Sequence, residues 1–362
     1  MMLSSMSNTW LRASVFSMGC AMATGLPAVS AVWAGDRSTG TGTVTGTVTG
    51  TGSESEQREL DPANLVREMS MALKMLNYEG RFVHVQGSNI TAMHILHSSD
   101  SNGELEHLIS LDGEAREVFR NNTLVTCIWP STESVVVSKS KPRDLLPKLD
   151  RNLTTGNRYT FAFGKPDRVA GILTHVVNVI PMDKHRYGYR FWIDQTSKML
   201  LRSLVLEGPD KIVEQVLFTE IEYLDSIPKK RFEVYSNVTQ LSWLEPKRAL
   251  ATSSLADTLS DQIDRVGFVD LPMGYEEVSE TYSPMPSNST PVSHVMLTDG
   301  MASVSVYVEY LAKSEHNLSA IGLSSMGAMN AYGMSLDDAL ITAVGEVPAE
   351  TVRAIAMAVK IR

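Results

Sequence analysis

The sequence predicts an α+β protein with a large N-terminal domain, in which a curved antiparallel sheet wraps around a helix, and a smaller C-terminal α+β domain. Three observations support this. The chain has 362 residues, enough for two domains. A single amphipathic helix pattern is followed by many strand-like runs separated by turn residues. A second hairpin and a second helix pattern then occur near the C-terminus.

The first 58 residues predict an export signal and a spacer. Arg12 is the only charge before Asp36, and the apolar stretch Ala13–Val32 between them ends close to small residues. This pattern predicts a signal peptide over residues 1–34, with an uncleaved membrane anchor as the alternative. Residues 35–58 are rich in glycine and threonine and predict a flexible spacer, because such a segment buries little apolar surface.

The large domain, residues 59–228, is expected to begin with a helix. Asp61 is a good N-cap, and Pro62 suits the first helical position. Leucine and methionine then recur at helical spacing and form one apolar stripe, which comprises Leu65, Met69, Leu73 and Leu76. This stripe is the natural cover for the sheet that follows.

The strand-like runs of this domain alternate with turn residues. The clearest is Tyr187–Asp194, in which Tyr187, Tyr189, Phe191 and Ile193 point to one face. A strand with one apolar face belongs to a sheet that must be covered on that side. The runs are Arg81–Gln86, Ile90–His97, Glu104–Leu111, Ala115–Arg120, Leu124–Trp129 and Val135–Val137, then the meander Val169–Ile180, Tyr187–Asp194, Met199–Leu206 and Glu214–Tyr223.

Residues 229–262 have weaker patterns and predict a connection between domains, which leaves residues 263–362 for the small domain. Val295–Thr298 and Ala302–Tyr310 flank an Asp-Gly turn and predict a hairpin. Ala343–Val347 predicts a short strand. Pro348 then opens a final helix with an apolar stripe that includes Val352, Ile355 and Val359.

The composition and the motifs argue against several classes of function. A formal net charge of −9 disfavours nucleic-acid binding, which needs basic surfaces. The histidines have no metal-binding spacing, and the sequence has no phosphate loop or dinucleotide fingerprint. Gly322–Gly327 departs from the nucleophile elbow by one residue. We therefore expect a binding protein rather than an enzyme, without a metal or cofactor.

Several segments resemble the MucB/RseB family. They are Asn77–Val83, His107–Val118 and Tyr187–Asp194 in the large domain, and Val292–Val306 and Gly327–Tyr332 in the small one. Each segment alone is a weak signature, but their order and the two-domain layout make the resemblance specific. It extends from about Leu60 to Lys360. It implies that the large domain is similar to lipoprotein carriers of the LolA/LolB kind.

The resemblance also implies a function. Family members are periplasmic negative regulators of an extracytoplasmic-stress sigma factor. They bind the periplasmic domain of a membrane-spanning anti-sigma factor and shield it from regulated proteolysis. Lipid or lipopolysaccharide is thought to release them. A periplasmic lipid or lipoprotein carrier is the alternative, and an exported hydrolase is a third class. The sequence leaves the oligomeric state open, a homo-oligomer included.

The family provides no short binding motif to transfer, so the site residues are hypotheses from aromatic side chains on predicted strands. For a lipid-facing groove we select three neighbours in one strand: Tyr189, Phe191 and Trp192. For the anti-sigma peptide we select tyrosines of the small domain: Tyr307, Tyr310 and Tyr332.

Overall fold

The computed structural model of the chain describes residues 60–132, 134–139, 158–232, 242–244, 266–284, 291–310 and 321–361. The predicted signal peptide and spacer lie outside the described residues, as does most of the predicted connection 229–262.

Most of the described chain consists of two α-helices, a thirteen-stranded sheet and a six-stranded sheet. A two-stranded ribbon and short 3-10 helices at Pro130–Thr132 and Lys229–Phe232 complete it. The helices are α1 (Pro62–Met75) and α2 (Ala349–Ala358). The strands are β1 (Asn77–Gln86), β2 (Asn89–Asp100), β3 (Gly103–Ser110), β4 (Glu117–Asn121), β5 (Leu124–Trp129), β6 (Ser134–Lys139), β7 (Tyr159–Phe163), β8 (Asp167–Val169), β9 (Ile172–Pro181), β10 (Gly188–Asp194), β11 (Leu200–Glu207), β12 (Lys211–Leu224), β13 (Ser242–Leu244), β14 (Val266–Phe268), β15 (Glu276–Pro284), β16 (Pro291–Thr298), β17 (Ser303–Tyr310), β18 (Gly322–Met326), β19 (Met329–Leu336), β20 (Ala339–Gly345) and β21 (Val359–Ile361).

The predicted N-terminal helix is confirmed together with its cap. The Asp61 carboxylate accepts hydrogen bonds from the backbone N–H groups of Ala63 at 3.3 Å and Asn64 at 3.0 Å. Such a cap contributes about 1 kcal/mol. The helix ends at Met75, because Leu76 adopts an extended conformation that leads directly into β1. Of the predicted stripe, Leu65, Met69 and Leu73 are buried in the core together with Val66, whereas Leu76 follows the helix and is only partly buried.

The large domain contains a thirteen-stranded sheet with the order β13-β6-β5-β4-β3-β2-β1-β12-β11-β10-β9-β7, and β8 pairs with β9. Its pairs are antiparallel, except that β13 runs parallel to β6. The first strand pairs with both β2 and β12, so β1 joins the N-terminal strands to the predicted meander. The predicted strand Val169–Ile180 is divided by a turn at Ala170 and Gly171, both with positive φ.

Bulges give this sheet the curvature that the sequence predicts. The register of β1 on β12 shifts between Arg81 and Phe82, and that of β10 on β11 shifts between Trp192 and Ile193. An extra residue in one strand bends it and increases its twist. Next to the first bulge, Gly80 lies so close to β12 that a Cβ atom would stand 2.8 Å from the Glu220 carbonyl oxygen.

The small domain is an α+β unit, as predicted. Its six-stranded antiparallel sheet has the order β15-β16-β17-β20-β19-β18, and β14 pairs separately with β21. Helix α2 packs on one face of the sheet, where Val352 and Ile355 meet Val306 and Ile341. The predicted β16–β17 hairpin and the final helix are confirmed, but the helix ends at Ala358, so Val359 of its predicted stripe lies in β21. The predicted strand Ala343–Val347 overlaps β20, which begins earlier, at Ala339, and ends at Gly345. Strands β15, β18 and β19 were not predicted, because they contain many polar residues and glycines.

Candidate functional site

The three residues selected for a lipid-facing groove lie on two faces of β10. The rings of Tyr189 and Phe191 stack at 5.7 Å on one face. Trp192 points to the other face, where its Nε1 donates a hydrogen bond to Asp167 at 3.0 Å and the Arg202 guanidinium lies 4.3 Å from its ring. Tyr189 and Phe191 therefore share one apolar face, whereas Trp192 makes its polar contacts on the other. Phe191 and Trp192 are buried in the main core, and Tyr189 packs against it, so their role in lipid binding stays a prediction.

The small domain covers one end of the apolar face that carries Tyr189 and Phe191. This residue packs beside Tyr187 and Val205 against Ala328 of the small domain. Burial raises the pKa of Tyr189 well above its ordinary value, with a further increase from the Asp299 carboxylate. Tyr189 is thus packed at the contact between the two domains.

The three tyrosines selected for peptide binding also divide between two faces. Tyr310 and Tyr332 pack against the small-domain core, and the Arg353 guanidinium of α2 lies 6.0 Å from the Tyr332 ring. Tyr307 lies on the opposite face of β17, where its ring stacks on His294 at 4.6 Å. The three tyrosines do not form one surface, and their role in peptide binding stays a prediction.

The junction between the domains is built around a buried ion pair that sequence reasoning missed. Arg186, in the β9–β10 loop, places its Nε atom 2.7 Å from Oδ2 of Asp299, in the β16–β17 turn. Both side chains are fully buried. The same carboxylate accepts a hydrogen bond from the Tyr159 hydroxyl at 2.8 Å. Arg186 also contacts Asp183 and the Met273 carbonyl oxygen.

Electrostatics at this pair favour the charged form of Arg186. Burial is the largest single effect and lowers the pKa of Arg186, but the Asp299 carboxylate, Tyr159, Asp183 and Tyr275 together outweigh it, and the net shift is upward. Burial, followed by the same carboxylate, raises the pKa of Tyr159 well above its ordinary value. The guanidinium also lies 5.1 Å from the Tyr275 ring. Breaking an ion pair that is buried on both sides is costly, so this contact favours one defined arrangement of the two domains.

A second contact joins the β18–β19 turn to β12. Glu214 accepts a hydrogen bond from the backbone N–H of Ala328 at 2.9 Å, and its other oxygen lies 2.6 Å from Nε2 of His84. Nearby, Asn330 donates to the Tyr187 hydroxyl at 3.0 Å. Burial raises the pKa of Glu346 to about 7, and the Glu214 charge adds to that shift. This contact places a titrating carboxyl group at the junction.

The sequence held a partial signal for the junction. The Asp-Gly turn at residues 299–300 is predicted, but turn chemistry does not reveal that Asp299 points into the large domain. Arg186 sits in a polar loop, where an exposed arginine is the ordinary expectation. Among the described residues, no cluster of histidine, cysteine and carboxylate side chains could hold a metal ion. The part of the chain that the structure describes also has no helix long and apolar enough to cross a membrane.

Comparison with known proteins identifies the family. Residues 61–235 match the MucB/RseB N-terminal domain, and residues 264–360 match the MucB/RseB C-terminal domain. The chain is 28% identical over 320 residues to the sigma-E factor regulatory protein RseB of Salmonella typhimurium, covering 85% of this chain and 94% of the relative. It is 24% identical over 318 residues to the sigma factor AlgU regulatory protein MucB of Pseudomonas aeruginosa, covering 83% and 91%.

Solved structures agree in fold. The complex of Pseudomonas aeruginosa MucA and MucB contains a chain that aligns with a TM-score of 0.62 at 22% identity, covering 84% of this chain and 99% of that one. A crystal structure of MucB with the periplasmic part of MucA aligns with a TM-score of 0.60 at 22% identity, covering 83% and 99%. The chain therefore belongs to the MucB/RseB family, and its named relatives are regulatory proteins of sigma factors.

Proposed function

We propose that this chain is a periplasmic regulator that binds the periplasmic domain of a membrane-spanning anti-sigma factor and shields it from regulated proteolysis. Lipid or lipopolysaccharide signals release it. The observation that carries the proposal is the match to both family domains in the family's order. Structures in which related MucB chains are complexed with MucA support the choice of partner.

The proposed mechanism is an equilibrium between two ligands and needs no catalytic group. If the anti-sigma domain and the lipid favour different domain arrangements, each weakens the binding of the other. A coupling free energy of about 1–3 kcal/mol gives roughly 5–150-fold displacement. The junction supports this mechanism, because Tyr189 on the apolar face and the buried Arg186–Asp299 pair both depend on how the domains are placed.

A periplasmic lipid or lipoprotein carrier is the second function to consider. The stacked Tyr189–Phe191 pair on the apolar face favours it, since such a face suits acyl chains. The two functions differ in their partner. A carrier should bind acyl chains and leave the anti-sigma domain unbound, whereas a regulator should bind both, in competition.

A protection assay tests the proposed function. The purified periplasmic domain of the anti-sigma factor from the same organism is incubated with a site-1 protease, with and without the mature protein. We expect the protein to slow cleavage at least tenfold and added lipopolysaccharide to restore it. The control substrate is an unrelated unfolded protein, whose cleavage should not change. Equal cleavage of the anti-sigma domain with and without the protein would reject shielding.

A further inference from the structure

The small-domain sheet has two edge strands of very different character. In the described part of the chain, β15 pairs only with β16, and β18 pairs only with β19. Strand β15 carries Glu276, Glu277, Glu280 and Pro284, and its pairing is interrupted by a bulge. Charges, proline and bulges are the usual means of preventing a foreign strand from pairing with an edge. The β15 edge is therefore protected.

Strand β18 has none of these features. Its sequence, Gly322–Met326, contains no charge and no proline, and its pairing with β19 is regular. Leu323 is 55% exposed and Met326 is 46% exposed. An uncharged, regular edge with exposed apolar side chains is a template for an added strand.

The hairpin geometry identifies the backbone groups that β18 offers. A two-residue loop, Gly327-Ala328, connects Met326 to Met329, and Gly327 has a φ of 61° as a type II′ turn requires. In such a hairpin the residues that flank the loop form a hydrogen-bonded pair, and every second pair follows the same pattern. Ser324 therefore bonds to β19, while the N–H and C=O groups of Leu323 and Ser325 point away from the sheet.

A cation stands near this edge. Tyr332 lies opposite Leu323 in the register, and the Arg353 guanidinium is 6.0 Å from the Tyr332 ring. Within the described ranges, Arg353 has no ion pair. A carboxylate on a strand added beside β18 would thus find a positive charge above it.

The edge is also continuous with the domain junction. The loop that closes the hairpin docks on β12, where Glu214 accepts the Ala328 N–H. A Cβ atom on Gly327 would stand 2.2 Å from the Gln86 side-chain nitrogen, so the loop contacts the large domain closely. A segment paired along β18 would therefore lie beside the contact between the two domains, and its binding would depend on how the domains are arranged.

We propose that β18 receives an extended segment of the anti-sigma factor's periplasmic domain as an added strand of the small-domain sheet. The segment pairs with the outward backbone groups of Leu323 and Ser325, places an apolar side chain near Leu323, and directs a carboxylate toward Arg353. This inference rests on the proposed function, because the partner is the one proposed there. A second copy of this chain is the competing occupant, and the experiment below distinguishes the two.

The test uses a matched pair of substitutions on the two edges. Leu323→Lys puts a charge on the β18 edge, and Val278→Lys puts one on β15, where Val278 is 58% exposed. Leu323→Pro removes an outward N–H without removing a bond to β19. Affinity for the purified periplasmic domain of the anti-sigma factor is measured by calorimetry for the full mature protein and each variant. We expect both Leu323 variants to lose at least tenfold in affinity and Val278→Lys to stay within twofold.

Hydrogen exchange on the wild-type complex provides a readout that needs no variant. Binding should protect the Leu323 and Ser325 amides, which are otherwise exposed to water. Leu323 variants that bind like the wild type, or amides that stay unprotected, would overturn the inference while the proposed function stands. A wild-type protein that fails to bind the domain at all would instead reject the proposed function. A dimer that Leu323→Pro dissociates, with unchanged anti-sigma affinity, would assign the edge to a second copy.

Discussion

At the scale of single residues, two buried groups define the junction. Arg186 and Asp299 come from different domains and are both inaccessible to water. Removing one partner of such a pair leaves the other charge buried and unpaired, which costs about 3–5 kcal/mol. The exposed pair of Lys184 and Glu350 also links the domains, but exposed ion pairs contribute only about 0–1 kcal/mol.

The first prediction concerns the buried pair. Arg186→Met should lower the free energy of unfolding by about 3–5 kcal/mol in urea titrations, since it removes the charge that compensates Asp299. Lys184→Met is the matched control and should change the free energy of unfolding by at most about 1 kcal/mol. Combining Arg186→Met with Asp299→Asn should recover part of the loss. If Arg186→Met and Lys184→Met lowered the free energy of unfolding equally, the buried pair would not stabilise the junction.

The second prediction concerns Glu346 and pH. Its pKa in the folded protein is about 7, against an ordinary value of 4.5, because of burial and the nearby Glu214 charge, while His84 acts in the opposite direction. The Glu346 charge also contributes to the raised pKa values of Tyr187 and Tyr189, for which burial is the main cause. The folded state therefore binds more protons than the unfolded state between pH 4.5 and 7. Stability from this group is complete below pH 4.5 and is lost as the pH rises through about 7.

Comparison of the wild type with Glu346→Gln isolates this effect. The stability difference between them should change by about 1 kcal/mol per pH unit between pH 5 and 7, in favour of the variant as the pH rises, and then level off. Glu222→Gln, an exposed substitution on β12, is the control and should show no such trend. Parallel pH profiles for the wild type and Glu346→Gln would contradict the assignment of the titrating group.

At the scale of elements, sequence reasoning succeeded where a residue pattern matched one structural period. The spacing of Leu65, Met69 and Leu73 predicts α1, and alternation predicts β10 and the β16–β17 hairpin. The alternation of side chains between the two faces of a strand also bears on the residues selected for lipid and peptide binding. Phe191 and Trp192 are adjacent, and Tyr307 and Tyr310 are three positions apart, so each pair must face opposite sides of its strand. The residues of β18 do not alternate between apolar and polar, so the sequence pattern does not predict this edge strand.

An element-scale prediction follows from the close approach of β1 and β12 beside their bulge. A Cβ atom at Gly80 would lie 2.8 Å from the Glu220 carbonyl oxygen and 2.9 Å from the Phe218 ring. Gly80→Ala should therefore destabilise the large domain by about 1–3 kcal/mol, because the bulged strands must separate. Thermal unfolding measures the loss, with Glu222→Ala on the exposed surface as the control. A Gly80→Ala protein with the melting temperature of the control would show that the close approach is relieved at no cost.

At the scale of the whole molecule, the sequence predicts the elements that depend on neighbouring residues. It does not predict the contacts between residues that are far apart in the chain. Composition and periodicity are sufficient for an α+β chain in two domains. The contact between Arg186 and Asp299 requires two loops from separate sheets to meet, and no local pattern encodes that meeting. We propose that the anti-sigma domain and lipid compete through this domain junction.

The most direct test of that competition is a calorimetric titration of the mature protein with the anti-sigma periplasmic domain at increasing lipopolysaccharide concentrations. Tight binding without lipopolysaccharide should weaken by roughly 5–150-fold and then reach a plateau, as coupling between two sites requires. An affinity that does not change with lipopolysaccharide, or no binding under any condition, would contradict the account.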